Sequence, residues 1–423
     1  MRDSYNRGLP AMKPRLRFVV TLAALCALLT IHVQAQNFQV IYSFPGGTAG
    51  GNPDAGLTMD RGGNFYGTTG FGGSGGCDYE CGTVFKLSNR GHGWVLNVLY
   101  SFEPNVNSFP QSRAIIGPNG SLYSTTFFGG AIGYGTVFNL QPPAHATASV
   151  LTPWTNTILH SFAGGSDGSN PISAVLIFDP AGNIYGTTPT GGAHNNGIVF
   201  ELSPSNGGWT EKILYDFPGG ASGINPTAGV ILDSAGNLYG VTIQGGQDNC
   251  GTVYELSPNG DSWAETTLHT FVGGPGGCFP AGGLTFDGHG NLIGTTAGGG
   301  GLSGSTVFML SPSGGSWNFS VLYSLGNFDG PEAEMTFDSA GNLYGTTTGG
   351  GAYRYGNVFR LSPSSGGWSY TSLYDFTNGS DGGNPHSNVL IDANGNLFGT
   401  TNGGAINGTG CPGGCGTVWE ITP

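Results

Sequence analysis

The sequence predicts an all-β fold, a seven-bladed β-propeller, and three observations carry that prediction. The first is repetition. The hexapeptide Asn342-Leu343-Tyr344-Gly345-Thr346-Thr347 returns in six further versions, beginning at Asn64, Ser121, Asn183, Asn237, Asn291 and Asn396. The copies stand 51 to 62 residues apart, a spacing at which each repeat is one supersecondary unit that cannot bury its apolar faces alone. The second is the content of each period: four short runs of β-branched and aromatic residues, separated by Gly, Pro, Asn and Asp. The third is that helical periodicity never extends beyond a few residues. Four antiparallel strands repeated seven times make a propeller, whereas a β-sandwich needs no near-identical units at this period.

The first element precedes the repeats. Residues 1–35 read as a secretory signal peptide: Arg7, Lys13, Arg15 and Arg17 form a basic region, residues 18–31 are almost wholly apolar, and Val33-Gln34-Ala35 supplies small residues for cleavage. The apolar run is short for a membrane span. Cys26 follows Leu25 rather than a small residue, so lipoprotein processing is not expected. The domain division is therefore 1–35 signal and 36–423 propeller, secreted or held at the cell surface, with no membrane insertion after cleavage.

Within 36–423 the order of elements is constant. A Gly-rich loop leads to a proline: Pro53, Pro110, Pro171, Pro226, Pro280, Pro331 and Pro385. A short apolar strand follows, such as 57–59, 175–178 or 230–232. The tight turn Asp-x-x-Gly-Asn leads into the hexapeptide strand, and a Gly-Gly loop comes next. A third strand such as 82–87 ends in Ser-Pro, and a tryptophan opens the fourth: Trp94, Trp154, Trp209, Trp263, Trp317 and Trp368. The last repeat stops after its third strand, 416–421, while residues 38–44 match the fourth-strand segments 98–102 and 213–217. The N-terminal strand is therefore expected to pair with the last repeat, closing the ring and removing an open sheet edge.

The seven Asn-Leu-Tyr-Gly-Thr-Thr and Gly-Thr-Val-Phe units resemble the GloVer tandem repeat of exported bacterial proteins, over nearly all of 37–423. The resemblance implies export and, in many relatives, a C-terminal surface-anchoring segment, of which the stretch up to Pro423 shows none. It implies no established enzymatic activity.

Composition narrows the function classes. Glycine is 81 of 423 residues, far above the average of about 7%. No period of three accompanies it, so collagen is excluded, and 12% aromatic content argues against disorder. The first 35 residues hold five of the twelve basic and one of the twenty-five acidic side chains, leaving 7 basic against 24 acidic, a net charge of −17. Such a surface repels phosphate backbones, so no nucleic acid is expected as a partner. The expected partner is an extracellular glycan or protein, and the expected state is a monomer.

Six cysteines remain after cleavage, an even number in an exported chain. The favoured pairs are Cys77–Cys81, Cys250–Cys278 and Cys411–Cys415. A zinc site is the alternative, but no pair has the two-residue spacing of zinc ribbons.

Candidate chemistry is sparse. The turn aspartates Asp60, Asp179, Asp233, Asp287, Asp338 and Asp392 read as local acceptors of backbone N–H groups. The repeated Tyr and Trp read as packing between blades. His160 and His269 take the place of Tyr42, Tyr100, Tyr215, Tyr323 and Tyr374 and read as core substitutes rather than ligands. Two Gly-x-Ser-x-Gly matches, at 72–76 and 164–168, lack the strand-to-helix setting that a nucleophile elbow requires. A phosphate loop and His-x-x-x-His are both absent.

Function is better sought where equivalent positions stop being equivalent. Three residues after the proline stand Gly56, Arg113, Ala174, Gly229, Gly283, Glu334 and Asn388, where a propeller's first strand meets its central channel. One residue after it stand Asp54, Gln111, Ile172, Thr227, Ala281, Glu332 and His386. Asp54, Arg113, Glu332, Glu334, His386 and Asn388 are the candidate ligand-binding residues at the channel mouth. Glu332 beside Glu334 is the candidate calcium site, since two carboxylates in one short segment favour a cation. No catalytic residue is assigned, and no cofactor besides calcium. The leading reading is a non-catalytic binding module, with loop aromatics Phe71, Tyr79, Phe127, Phe128, Tyr134, Tyr353 and Tyr355 suited to carbohydrate or protein contacts. The alternative is a metal-dependent lactonase- or esterase-like hydrolase at the channel mouth. Copper oxidase and quinoprotein propellers rank last, because their Tyr/Cys/His and Trp arrangements are not visible.

Overall fold

A computed structural model describes residues 36–73, 81–103, 107–143, 154–173, 175–298, 304–326, 330–405, 411 and 413–423. The strands form seven four-stranded antiparallel sheets, numbered here as blades 1 to 7 by the hexapeptide each contains. Blade 3 shows the pattern: Ile177–Phe178, Ile184–Thr188, Ile198–Ser205 and Gly208–Asp216 pair in sequence order. Blade 7 takes Leu390–Ile391, Leu397–Thr401 and Thr417–Thr422 from the C-terminal end and Asn37–Ser43 from the N-terminal end. The closing strand is held past its end by Phe44 N–H, which donates to Gly416 O at 3.1 Å. The Gln39 amide also donates to Glu420 Oε2 at 2.6 Å. No described helix is long and apolar enough to cross a membrane.

The hexapeptide is intelligible position by position. In blade 1 Phe65, standing for the leucine, is sealed in the core, and Tyr66 packs toward blade 2. Gly67 lies beneath the third-strand aromatic: a side-chain carbon there would stand 2.6 Å from Phe85 Cζ. Thr68 donates to Ser112 O in the next blade at 3.3 Å, and Thr187 and Thr346 repeat that link to Ala228 O and Ser387 O. Thr69 shares a buried hydrogen bond of 2.8 Å with Thr83 on the third strand. One threonine thus ties blade to blade and the other ties strand to strand.

The turn aspartates behave as local acceptors. Asp60 Oδ1 accepts from Gly62 N and Asn64 N, while Oδ2 accepts from the Asn64 amide and Tyr66 Oη. Asp179, Asp233 and Asp338 repeat all four contacts. In blade 2, where Gly117 replaces the aspartate, Asn119 Oδ1 accepts from Ser121 N.

The core lies between blades. One buried cluster joins Tyr66, Val84 and Phe102 of blade 1 to Leu122, Phe138 and Leu140 of blade 2, with Trp154 against it. A β-bulge in the third-to-fourth strand pair of each of blades 1 to 6, such as that beside Phe200, leaves Leu214 inward and swings Tyr215 toward the next blade.

Two expected strand limits change. The first strands pair over only two residues, Thr58–Met59 rather than 57–59; Leu57 is fully buried in the core, while Asp54 and Ala55 before it line the channel. The third strands run through Ser-Pro instead of ending there, and Pro204 is aligned with Trp209. Pro204 lies beyond the end of the second strand, so its missing N–H leaves no ladder partner unmet on that side.

Cys250–Cys278 and Cys411–Cys415 form, with Cα separations of 4.6 and 5.1 Å. Cys81 is disulfide-bonded; its expected partner Cys77 lies outside the described residues.

Candidate functional site at the channel mouth

The proline that ends each Gly-rich loop aims the next residues at the axis. As a result Asp54, Arg113, Glu332, Glu334, His386 and Asn388 all line one cavity of about 100 Å³, with Gln111 in the same wall. A second cavity of about 490 Å³ shares Arg113, Glu334 and Asn388 with it, so these three form the wall common to both. The small members of the same repeat position, Gly229 and Gly283, leave room: a side-chain carbon on Gly283 would stand 2.6 Å from Glu334 Cγ. Ala174 lies outside the described residues.

The polar groups are paired in a definite way. Arg113 Nη2 of blade 2 meets Glu334 Oε2 of blade 6 at 2.9 Å, both side chains about a quarter exposed or less. His386 Nδ1 of blade 7 lies 3.1 Å from Glu332 Oε2 of blade 6. Burial opposes the charged form of His386, but the Glu332 hydrogen bond and the charges of Asp54 and Glu332 outweigh it and hold its pKa above the usual histidine value. Asp54 Oδ1 accepts from the Asn402 amide at 2.5 Å. Asn388 Oδ1 is sealed from solvent and has no hydrogen-bond partner among the described residues. Of the two carboxylates read as a calcium site, Glu334 therefore already faces the Arg113 guanidinium and Glu332 the His386 imidazole.

The long loops and the cavity lie at the same end of the blades, as antiparallel connectivity requires. Phe71, Phe109, Phe127 and Phe128 form a chain of ring contacts there, with centroids 4.5 to 6.3 Å apart. Phe128, Tyr134, Tyr353 and Tyr355 are exposed. Tyr79 lies outside the described residues.

A second polar group escaped sequence reasoning. His160, Asp167 and Glu211 bring ligand atoms within 4.8 Å of one another, a set able to hold a metal ion. Burial first, and then Asp167 beside it, raises the Glu211 pKa to about 9. Burial lowers that of His160, against the pull of Asp167. His269, the other histidine at this repeat position, stacks on Phe319 at 3.9 Å and packs as a core substitute. The signal in the sequence was a histidine, an aspartate and a glutamate falling together at three positions of neighbouring repeats, a combination visible only when those repeats are read together.

Comparison with known proteins decides the family. The model of the Gloeobacter/Verrucomicrobia repeat matches residues 26–157 and 149–334. The chain belongs to the Gloeobacter/Verrucomicrobia repeat family. No curated protein matches the sequence. Among solved structures, this repeat protein is similar to a fungal alcohol oxidase in complex with copper, at 15% identity and TM-score 0.54, covering 92% of this chain and 77% of that one. It is also similar to an extracellular domain assigned to a one-component system of B. thetaiotaomicron. There the identity is 12% and the TM-score 0.54, over 90% of this chain and 40% of that one. A gluconolactonase from Xanthomonas campestris aligns at 14% identity and TM-score 0.44, over 93% and 92% of the two chains. At these identities the likeness concerns the fold alone.

Proposed function

We propose that this repeat-family propeller is a secreted or cell-surface binding module that takes a neutral extracellular glycan at its channel mouth, without catalysis. The observation that carries the reading is the cavity wall itself. Its polar groups stand in two bridged pairs, Arg113–Glu334 and His386–Glu332, with Asp54 and Asn388 in the same wall. Sugar hydroxyls can exchange hydrogen bonds with such charged groups, each worth about 1.5–3 kcal/mol. The paired charges present both donors and acceptors without a strong net field. Exposed aromatic rings on the loops at the same end give the apolar faces of sugar rings a surface to stack on. The acidic surface disfavours an anionic ligand.

Export is supported by the disulfides, which persist in oxidising compartments. Calcium at Glu332 and Glu334 would have to displace His386 and Arg113, so we place ligand hydroxyls there instead. The same competition weakens the alternative of a metal-dependent lactonase at this mouth. The test is a panel of immobilised neutral and acidic glycans probed with the wild type, Asp54→Asn and His386→Ala. The expected result is binding to a neutral glycan that weakens about tenfold in both variants, the usual size for loss of one charged contact. Equal binding by all three forms would refute the site.

A further inference from the structure

Three of the junctions between outer strands follow one aromatic plan, and two neighbouring junctions turn polar. In the aromatic plan, the Tyr or His two residues before the end of a blade's fourth strand segment faces the residue two places after the next blade's tryptophan, or its counterpart in the closing strand. His269 stacks on Phe319 at 3.9 Å, Tyr323 on Tyr370 at 5.3 Å, and Tyr374 on Phe38, the matching residue of the closing strand, at 3.5 Å. At the junction of blades 3 and 4 the plan turns polar, and Tyr215 and Ser222 both donate to Glu265. Between blades 2 and 3 the same three positions hold His160 in place of Tyr215, Asp167 in place of Ser222, and Glu211 where blade 4 has Glu265.

The geometry there is that of a ligand set. His160 Nε2 lies 3.3 Å from Asp167 Oδ2 and 3.6 Å from Glu211 Oε2. A tetrahedral site with metal–ligand bonds of about 2.0–2.2 Å separates its ligand atoms by about 3.3–3.6 Å. His160 Nε2 is sealed from solvent and has no partner in hydrogen-bond alignment, and Glu211 Oε1 is likewise sealed and unpaired. Asp167 Oδ2 is held in place by the Ala163 N–H at 2.5 Å, the kind of outer contact that orients a metal-binding carboxylate. Two carboxylates thus converge on one imidazole nitrogen, all three side chains between 12% and 23% exposed.

We propose that His160, Asp167 and Glu211 bind one zinc-class divalent transition ion, clipping the outer strand of blade 2 to that of blade 3 and leaving a fourth position for water. The imidazole and the small ligand number favour zinc over calcium, which takes about six to eight oxygens. The site lies on the outer junction of two blades and is separate from the channel mouth, so it stands or falls independently of the glycan reading.

The test uses the purified protein stripped with chelator and then titrated with zinc chloride, with calcium and manganese chlorides as comparisons. Bound metal is counted by elemental analysis. The variants are His160→Tyr, which restores the residue of five sibling repeats, and Glu211→Gln, which keeps the shape and removes the charge. The expected result is one tightly held zinc per wild-type chain, at least about tenfold weaker in each variant, by the scale of ligand-environment losses. Cobalt substitution should give the visible absorption of a four-coordinate site in the wild type and lose it in Glu211→Gln. Should His160→Tyr fail to fold, Glu211→Gln alone decides. Zinc retained equally by a folded variant, or no stoichiometric zinc in the wild type, overturns the proposal.

Discussion

Arg113 and Glu334 stand 221 residues apart in sequence, in blades 2 and 6, and meet across the central channel at 2.9 Å. The contact crosses the channel, and its side chains form the wall shared by the two cavities. A half-buried pair of this kind should show a coupling of about 1 kcal/mol. In a double-mutant cycle by urea unfolding, Arg113→Ala and Glu334→Ala should each destabilise, and the double variant should lose less than their sum. Strict additivity would mean that the pair contributes nothing.

Ring closure rests on the strand contributed by the N-terminal end. Deleting 36–44 removes Phe44, which is fully buried, and exposes the edge of Thr417–Thr422. The truncated protein should aggregate or lose its cooperative unfolding transition, as seen by light scattering and circular dichroism. A truncated chain that stays monomeric and melts cooperatively would contradict the closure.

The disulfides should differ in weight. Cys250–Cys278 spans 28 residues and by loop entropy is worth about 3–4 kcal/mol, whereas Cys411–Cys415 spans four and is worth about 2. Replacing both members of each pair by Ser should lower the melting temperature more for the first pair than for the second.

Acid sensitivity follows from the turns. Hydrogen bonds from neighbouring backbone and asparagine groups outweigh burial and hold Asp60, Asp179, Asp233, Asp287 and Asp338 below the usual aspartate pKa. A carboxylate depressed on folding contributes stability that is present above its unfolded pKa and lost as pH falls through the folded value. Stability should therefore drop steeply below about pH 4. Asp179→Asn should flatten that drop while costing about 1 kcal/mol at neutral pH.

His269 adds a second pH effect with a different window. Burial lowers its pKa to about 4, so between that value and about 6.5 the unfolded chain takes up a proton that the folded chain refuses. Its contribution is lost as pH falls through this range. His269→Tyr, the residue at the sibling positions, should remove that part of the pH dependence in denaturant titrations.

Much of this was legible in the sequence because repetition aligns the chain with itself. The hexapeptide revealed the blades, and the missing fourth strand of the last repeat revealed the closure. Reading two offsets after Pro53, Pro110 and their counterparts picked out six residues that share one cavity. What stayed hidden depends on contacts between repeats. Pairing Arg113 with Glu334 requires knowing which blades face each other across the ring. Grouping His160, Asp167 and Glu211 requires reading two repeat positions in one blade beside a third in the next. Each of the three looked like ordinary variation within its own repeat position.

The account's central claim, a ligand site at the channel mouth, is tested most directly by calorimetry. A neutral glycan selected on the panel should bind the wild type, and the Glu332→Gln/Glu334→Gln double variant should bind it at least about a hundredfold more weakly, from two lost charged contacts. Equal affinity in a double variant that retains its fold, or no glycan bound by the wild type, would contradict the account.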